Sequence, residues 1–291
     1  MGEKLAGKPV VQTLRENITS RVATLNEKEV TPMLLLIRVG AREDDISYER
    51  SILKNCDLLG INCVVNELPT SISMEELTKV FEEANSDTNI HGIMIFRPLP
   101  DHLDPDVIPN LIDPAKDIDC MSPINLQKVF EGKSRSFAPC TPKAVIELLK
   151  HYEIPLEGAN VVVAGRSLVV GKPLSMLLLD ENSSVTICHS RTKEMPSVTA
   201  KADIVVAAIG KAKFMNEEYF SESSIVVDVG INDDGNGKMC GDVDYDAVFD
   251  KVKAITPTIG GVGLITTTIL LGHVVQACET LNSTKKNFSL V

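Results

Sequence analysis

Apolar residues in this chain fall into short blocks whose spacing switches between two periods. Met33-Leu-Leu-Leu-Ile-Arg-Val39 is an almost unbroken apolar run, the pattern of a strand covered on both faces. Residues 45–59 change to helical spacing and stop at Gly60, a residue suited to the left-handed turn that ends helices. Ile61 to Leu68 reads as a second strand and His91 to Phe96 as a third. Between them, Met74 to Asn85 predicts an amphipathic helix with Leu77, Val80, Phe81 and Ala84 on one face. The first part of the chain is therefore an α/β layer.

From Arg97 to Pro123, prolines and aspartates break the periodicity. The stretch is too irregular for regular structure along its length, and long enough to carry function. Pro139-Cys-Thr-Pro-Lys-Ala-Val-Ile-Glu-Leu-Leu-Lys150 predicts a helix with Thr141 as N-cap and Pro142 as first residue, a bridge to a second domain. Strands follow near 160–164, 184–188, 203–208, 224–229 and 253–255, with helical patterns between several of them. Short apolar strands joined by crossovers predict a parallel, doubly wound sheet. A last helical pattern covers 262–282, and pattern alone assigns it to neither domain.

The length of 291 residues suits two domains, and 44% hydrophobic with 24% charged residues is ordinary globular composition. A formal net charge of -11 argues against nucleic-acid binding but leaves room for a small anion at a local basic patch. The cysteines at 56, 63, 120, 140, 188, 240 and 278 form no C-x-x-C pair, which suggests neither a zinc site nor a disulfide framework and fits reduced thiols in the cytoplasm. The N-terminus has no apolar signal core and carries Ala6 where myristoylation wants Ser or Thr; no apolar run nears the roughly 18 residues of a membrane span. His91, His102, His151, His189 and His273 are scattered without metal spacing and read as structural or surface residues; no metal is expected.

Chemistry concentrates where Val161-Val-Val-Ala-Gly-Arg-Ser-Leu-Val-Val-Gly171-Lys-Pro173 is followed by Cys188-His-Ser-Arg-Thr192. A strand, a Gly-rich turn, a helix and a second strand form the unit that cradles a dinucleotide. The spacing lacks G-x-G-x-x-G, so an ordinary strand-to-helix turn is the alternative. In the dinucleotide reading, Gly165 lets backbone approach a pyrophosphate, and Gly171-Lys-Pro173 opens a helix whose first amides face it. Arg166, Ser190 and Arg191, with no acid at the end of the second strand, favour the 2'-phosphate of NADP. On the residues alone, solvated surface charge is the other reading of either arginine.

G-R-S-x-x-V-G-x-P, C-H-S-R-T, A-D-I-V-V-A-A-I-G, V-V-D-V-G-I-N, G-D-V and T-P-x-x-G-G-V-G, in that order, resemble the methylenetetrahydrofolate dehydrogenase/cyclohydrolase family. Tyr48, Asn55-Cys-Asp-Leu-Leu-Gly-Ile61, His91-Gly-Ile-Met-Ile95, Pro98-Leu-Pro100, Lys116-Asp-Ile-Asp119 and Pro139-Cys-Thr-Pro142 extend the resemblance over nearly the whole chain. It implies a homodimer of two α/β domains with the active site in a cleft between them. Residues 1–139 and 265–291 would form the folate-binding domain, and 140–264 a Rossmann-type NADP-binding domain. The implied reaction moves a hydride from 5,10-methylenetetrahydrofolate to NADP; bifunctional members then hydrolyse the methenyl product to 10-formyltetrahydrofolate.

The resemblance also implies roles. Tyr48 would stack on the aminobenzoyl ring and Asp119 accept hydrogen bonds from the pterin edge; without it, Tyr48 is a half-buried helix residue and Asp119 a turn former. Pro98, Leu99 and the backbone of Gly260, Gly261, Val262 and Gly263 would lie by the substrate, the last four near the nicotinamide. Gly165, Arg166, Ser167, Gly171, Pro173, Ser190, Arg191, Gly210 and Ile231 would hold the cofactor.

The departures from the family pattern gather in one place. The family's cyclohydrolase Lys stands four residues after the Tyr, on the same helix face, where this chain has Ile52. Lys54 is about 600° of helical rotation from Tyr48, roughly 120° out of line. The family's Gln partner is Phe96, followed by Arg97; Asp45 replaces a Ser, and Ile259 and Leu264 replace prolines flanking Gly-Gly-Val-Gly. Loss of both halves of a polar pair leaves hydride transfer possible and hydrolysis doubtful. The rivals are a bifunctional enzyme using Lys54 or Arg97, and a non-catalytic paralogue that binds folate or dinucleotide; assays of NADPH formation and of methenyl loss separate them.

Overall fold

Met33–Val39 is buried along nearly all its length, as its apolar run requires, and sits at the centre of a parallel three-stranded sheet. The computed structural model describes residues 2–132 and 137–288, with side chains through residue 283. Among them the strands are β1 (Glu3–Lys4), β2 (Met33–Val39), β3 (Asn62–Leu68), β4 (Gly92–Ile95), β5 (Asn160–Ala164), β6 (Ser184–Cys188), β7 (Ile204–Ala207), β8 (Ile225–Asp228), β9 (Asn232–Asp233), β10 (Met239–Cys240) and β11 (Ala254–Ile255).

One contact unit holds residues 13–128 with 267–288. Its sheet runs β3-β2-β4, and Leu35 pairs with Val64 on one side and Ile93 on the other. Helix Glu43–Leu59 follows β2 and ends at Gly60, whose φ of 70° and ψ of 31° are the left-handed cap expected there. Helix Met74–Ser86 starts in a capping box between Ser73 and Glu76 and buries Leu77, Phe81 and Ala84 in the unit's core. Within the irregular 97–123 stretch only Ile108–Leu111 is helical among the described residues.

The other unit holds residues 2–12, 129–132 and 138–266. Its sheet order is β1-β11-β8-β7-β5-β6, and every pairing is parallel. From β5 the chain steps outward to β6, then returns past β5 to β7 and continues to β8 and β11. With right-handed crossovers this reversal winds helices onto both faces, which makes the sheet doubly wound in the order 2-1-3-4-5.

Several details differ from expectation. Residues 2–12 sit with the second unit because β1 pairs with β11, Glu3 opposite Ala254. Thr141 is not an N-cap: the helix is Cys140–His151, Pro139 occupies the cap, and no side chain caps it. A helix that the apolar pattern does not mark, Gly7–Asn26, buries Val11, Ile18, Val22 and Leu25 on one side. The last helix runs Val262–Phe288. By length and composition its segment Val262–Ser283 is apolar enough to cross a membrane, contrary to expectation, but 61% of its most apolar window is buried inside the protein, as in a core helix.

Candidate functional site

The reversal point of a doubly wound sheet leaves a crevice at the strands' carboxyl ends, here between β5 and β7. Gly165 ends β5 with φ +153°, and a Cβ there would come 2.2 Å from the Ala208 carbonyl oxygen, so only glycine fits. A cavity of about 250 Å³ opens at this point, lined by Gly165, Arg166, Ser167, His189, Ser190 and Lys211 among others. Its lining holds two cations and no carboxylate. That donor set fits a phosphorylated dinucleotide.

Ser167 organises the turn. Its Oγ accepts from the Val170 and Gly171 N–H groups, and its carbonyl accepts from Lys172. The first amides of helix Gly171–Asp180 are thus tied by the turn itself rather than left open, as the sequence reading had them. Gly171 is crowded against Gly165, where a Cβ would approach the carbonyl oxygen to 2.2 Å, and Pro173 is buried in the helix. At the end of β6, His189 N–H donates to Thr192 Oγ1 and His189 Nδ1 accepts from Arg191 N–H. His189 therefore shapes the cavity wall, a structural role. Arg191 lies exposed on the same turn, outside the lining.

Two buried aspartates support the neighbouring loops. Asp242 accepts from the N–H groups of Ile209, Gly210 and Lys211 and from Asn232 Nδ2. It thereby fixes the lip on which Gly210 and Lys211 sit. Asp228 accepts from Gly230, Asp242 and Val243 N–H groups, yet burial pushes its pKa up to about 6. Ile231, 59% exposed, lies where a Cβ on Gly263 would touch it at 3.4 Å. Gly260 accepts from Gly7 N–H at 2.7 Å, Val262 is buried, and a Cβ on Gly261 would come 2.4 Å from the Pro257 carbonyl oxygen. Ile259 and Leu264, the two former proline positions, are exposed.

In the other unit, Tyr48 stands half-buried on helix Glu43–Leu59 with Phe96 edge-on to its ring at 6.1 Å. Ile52, one turn on, is fully buried, and Phe96 is buried at the end of β4. Lys54 is exposed. Arg97 reaches Asp119, guanidinium to carboxylate 3.8 Å, and Arg42 donates to the Pro98 carbonyl at 3.1 Å. A cavity of about 650 Å³ is lined by Arg97, Pro98, Leu99, Pro100, Leu103 and neighbouring loop residues.

The framework beneath these side chains is firmly tied. Buried Arg38 pairs with Glu49, the residue after Tyr48, at 2.7 Å and with Glu67 at 3.0 Å; its pKa is raised, first by the Glu49 hydrogen bond. Asp45, in place of the family's Ser, is buried and 3.9 Å from Arg42. Lys116 Nζ caps helix Met74–Ser86 through the carbonyls of Ala84, Asn85 and Asp87. Sequence reasoning gave no site role to Arg38, Arg42, His189, Lys211 or Asp242, although His189 and Asp242 stand in the quoted C-H-S-R-T and G-D-V motifs. A charged residue inside an apolar run, as Arg38 is, and an Asp between Gly and Val, as Asp242 is, were the signals available.

Two family descriptions match the chain: tetrahydrofolate dehydrogenase/cyclohydrolase, catalytic domain, over residues 5–119, and the NAD(P)-binding domain of the same family over 139–282. Bifunctional protein FolD 1 of Desulfitobacterium hafniense (strain Y51) is 58% identical over 279 residues, 96% of this chain and 99% of that protein. The crystal structure of the bifunctional FolD methylenetetrahydrofolate dehydrogenase/cyclohydrolase from Campylobacter jejuni superposes with a TM-score of 0.93 at 36% identity, covering 96% of this chain and 99% of that one. The Trypanosoma brucei methylenetetrahydrofolate dehydrogenase-cyclohydrolase, complexed with NADP cofactor and inhibitor, gives a TM-score of 0.89 at 31% identity, covering 96% and 98%.

Proposed function

This chain belongs to the tetrahydrofolate dehydrogenase/cyclohydrolase family, and from that premise we propose that it is an NADP-dependent 5,10-methylenetetrahydrofolate dehydrogenase that has lost the cyclohydrolase step. In the reaction a C–H bond of the one-carbon bridge breaks and its electron pair leaves with the hydrogen as hydride. The folate is left as the methenyl cation. NADP, when bound, accepts that hydride. The chain's own task is alignment: Asp119 receives the pterin edge, Tyr48 offers its face to the aminobenzoyl ring, and Pro98 and Leu99 line the loop beside them. Arg166, Ser190 and Arg191 select the 2'-phosphate, with Lys211 adding positive charge at the cavity.

Hydrolysis of the methenyl cation needs more than alignment, because attacking water must give up a proton near the reacting carbon. One observation carries the monofunctional reading: Ile52 and Phe96, in place of the family's Lys and Gln, are both buried and apolar. The nearby cations are no substitutes, since Lys54 is exposed and Arg97 is paired with Asp119. The relatives' names carry both activities, and the bifunctional reading here requires a different proton carrier at the methenyl carbon. A coupled assay tests the point: NADPH and methenyltetrahydrofolate should appear in equal amounts.

The same reading makes the protein a cytoplasmic homodimer without nucleic-acid or membrane partners. The family resemblance supports the dimer, seven free cysteines support a reducing compartment, and the charge of -11 disfavours nucleic acid.

A further inference from the structure

We propose that Arg97 is a positioning residue of the folate half-site, holding the Asp119 carboxylate in the orientation that receives the pterin. The proposal rests on the reading of Asp119 as the pterin ligand. Arg97 directly follows Phe96, the residue in place of the family's Gln, and opens the Arg97-Pro-Leu-Pro100 loop.

The two side chains project from backbones tied by hydrogen bonds to the sheet and its loops. Arg97 follows Phe96, whose N–H donates to the Ile37 carbonyl at 3.0 Å and ties it to β2. Beyond Arg97, the Pro98 carbonyl is held by Arg42. The segment bearing Asp119 is laid beside β4 by the Ile93 N–H to Lys116 carbonyl bond, 2.9 Å, and by the parallel bridge of Ile93 with Asp117. Asp117, fully buried, accepts from Met121 and Ser122 N–H groups and from Asn125 Nδ2, and the Ile118 carbonyl is 2.7 Å from His273 Nδ1. The carboxylate that ends the Asp119 side chain lies within ion-pair distance, 3.8 Å, of the guanidinium.

Both side chains keep solvent access, 42% for Arg97 and 31% for Asp119, so a ligand can reach the carboxylate without breaking the pair. A carboxylate has about four acceptor positions, enough to serve a guanidinium and a pterin edge together. The family places an ammonium one helical turn from the Tyr; this chain places a guanidinium on the pterin carboxylate instead. Pre-ordering then lowers the entropic cost of ligand capture.

The test is steady-state kinetics with methylenetetrahydrofolate and NADP on Arg97→Leu, Arg97→Lys, Asp119→Asn and the Arg97→Leu/Asp119→Asn double variant, each checked for an unchanged melting midpoint. Arg97→Leu should raise the KM for folate about three- to tenfold while kcat and the KM for NADP stay within about twofold. Arg97→Lys should recover part of the loss, since it restores charge without the planar fork. In the Asp119→Asn background, Arg97→Leu should add nothing. Parent-like folate KM in Arg97→Leu, or its full effect persisting beside Asp119→Asn, overturns the proposal. An unchanged folate KM in Asp119→Asn alone instead removes the pterin-ligand reading beneath it.

Discussion

Phe96 meets Tyr48 edge to face, ring planes at 86° and centroids 6.1 Å apart. An aromatic pair of this geometry is favourable in itself, which makes the wall beside Tyr48 a stable apolar surface rather than a damaged polar one. Ile52 completes the change on the same helix face as Tyr48. Two substitutions that together remove a buried polar pair can be nearly neutral for stability, whereas either one alone strands a polar group.

That asymmetry predicts the behaviour of reversions. Ile52→Lys with Phe96→Gln should restore measurable hydrolysis of methenyltetrahydrofolate, and Ile52→Lys alone should restore less. The lone ammonium would stand at a fully buried position without its amide partner, where its charged form is disfavoured. Thermal midpoints should put Ile52→Lys lowest of the three proteins, below both the parent and the double variant. Equal hydrolysis by the single and double variants would contradict the paired account.

The proposed readers of the 2'-phosphate are Arg166 and Arg191. Arg191→Ala should raise the KM for NADP much more than that for NAD, because only NADP carries the 2'-phosphate. Comparing both cofactors in both proteins measures this. Equal use of NAD and NADP by the parent protein would contradict the assignment.

Asp228 makes stability depend on pH in an unusual direction. Its folded pKa of about 6 lies above its ordinary value of 3.8, so between these values the folded state binds the additional proton. Its contribution is fully present below about pH 4 and is lost as pH rises through 6, a change of about 3 kcal/mol. Denaturant unfolding at pH 4.5 and 7.5 should show the parent losing stability relative to Asp228→Asn as pH rises. A parent-to-variant difference constant across that range would contradict the buried, late-ionising carboxylate.

The parts of the fold set by local pattern were legible. Met33–Val39, the Gly60 cap and the amphipathic helix with Leu77, Phe81 and Ala84 depend on neighbours in sequence, and all appear as read. Helix Gly7–Asn26 escaped because its buried positions are largely β-branched and it opens on Gly-Lys-Pro, signals that weaken a helical reading. Thr141 looked like a cap because Pro142 follows it; the helix starts earlier because Pro142 also fits its first turn. Gly165 and Arg166, read from a strand-turn-helix motif, and Ser190, read from the end of the next strand, line one cavity. Asp242 and Lys211 were not legible, since what joins them is a hydrogen bond across more than thirty residues that only the folded chain creates.

The most direct measurement adds methenyltetrahydrofolate to the purified protein and follows loss of its absorbance against the spontaneous rate, after confirming NADPH formation from methylenetetrahydrofolate and NADP. A proton-transfer group typically contributes about 10²- to 10⁴-fold, so its loss should leave hydrolysis near the uncatalysed rate while the dehydrogenase turns over. Methenyltetrahydrofolate should then accumulate in step with NADPH. Rapid enzyme-dependent loss of the methenyl compound by the unmutated protein would contradict the central claim and show that another residue carries the proton that Ile52 and Phe96 cannot.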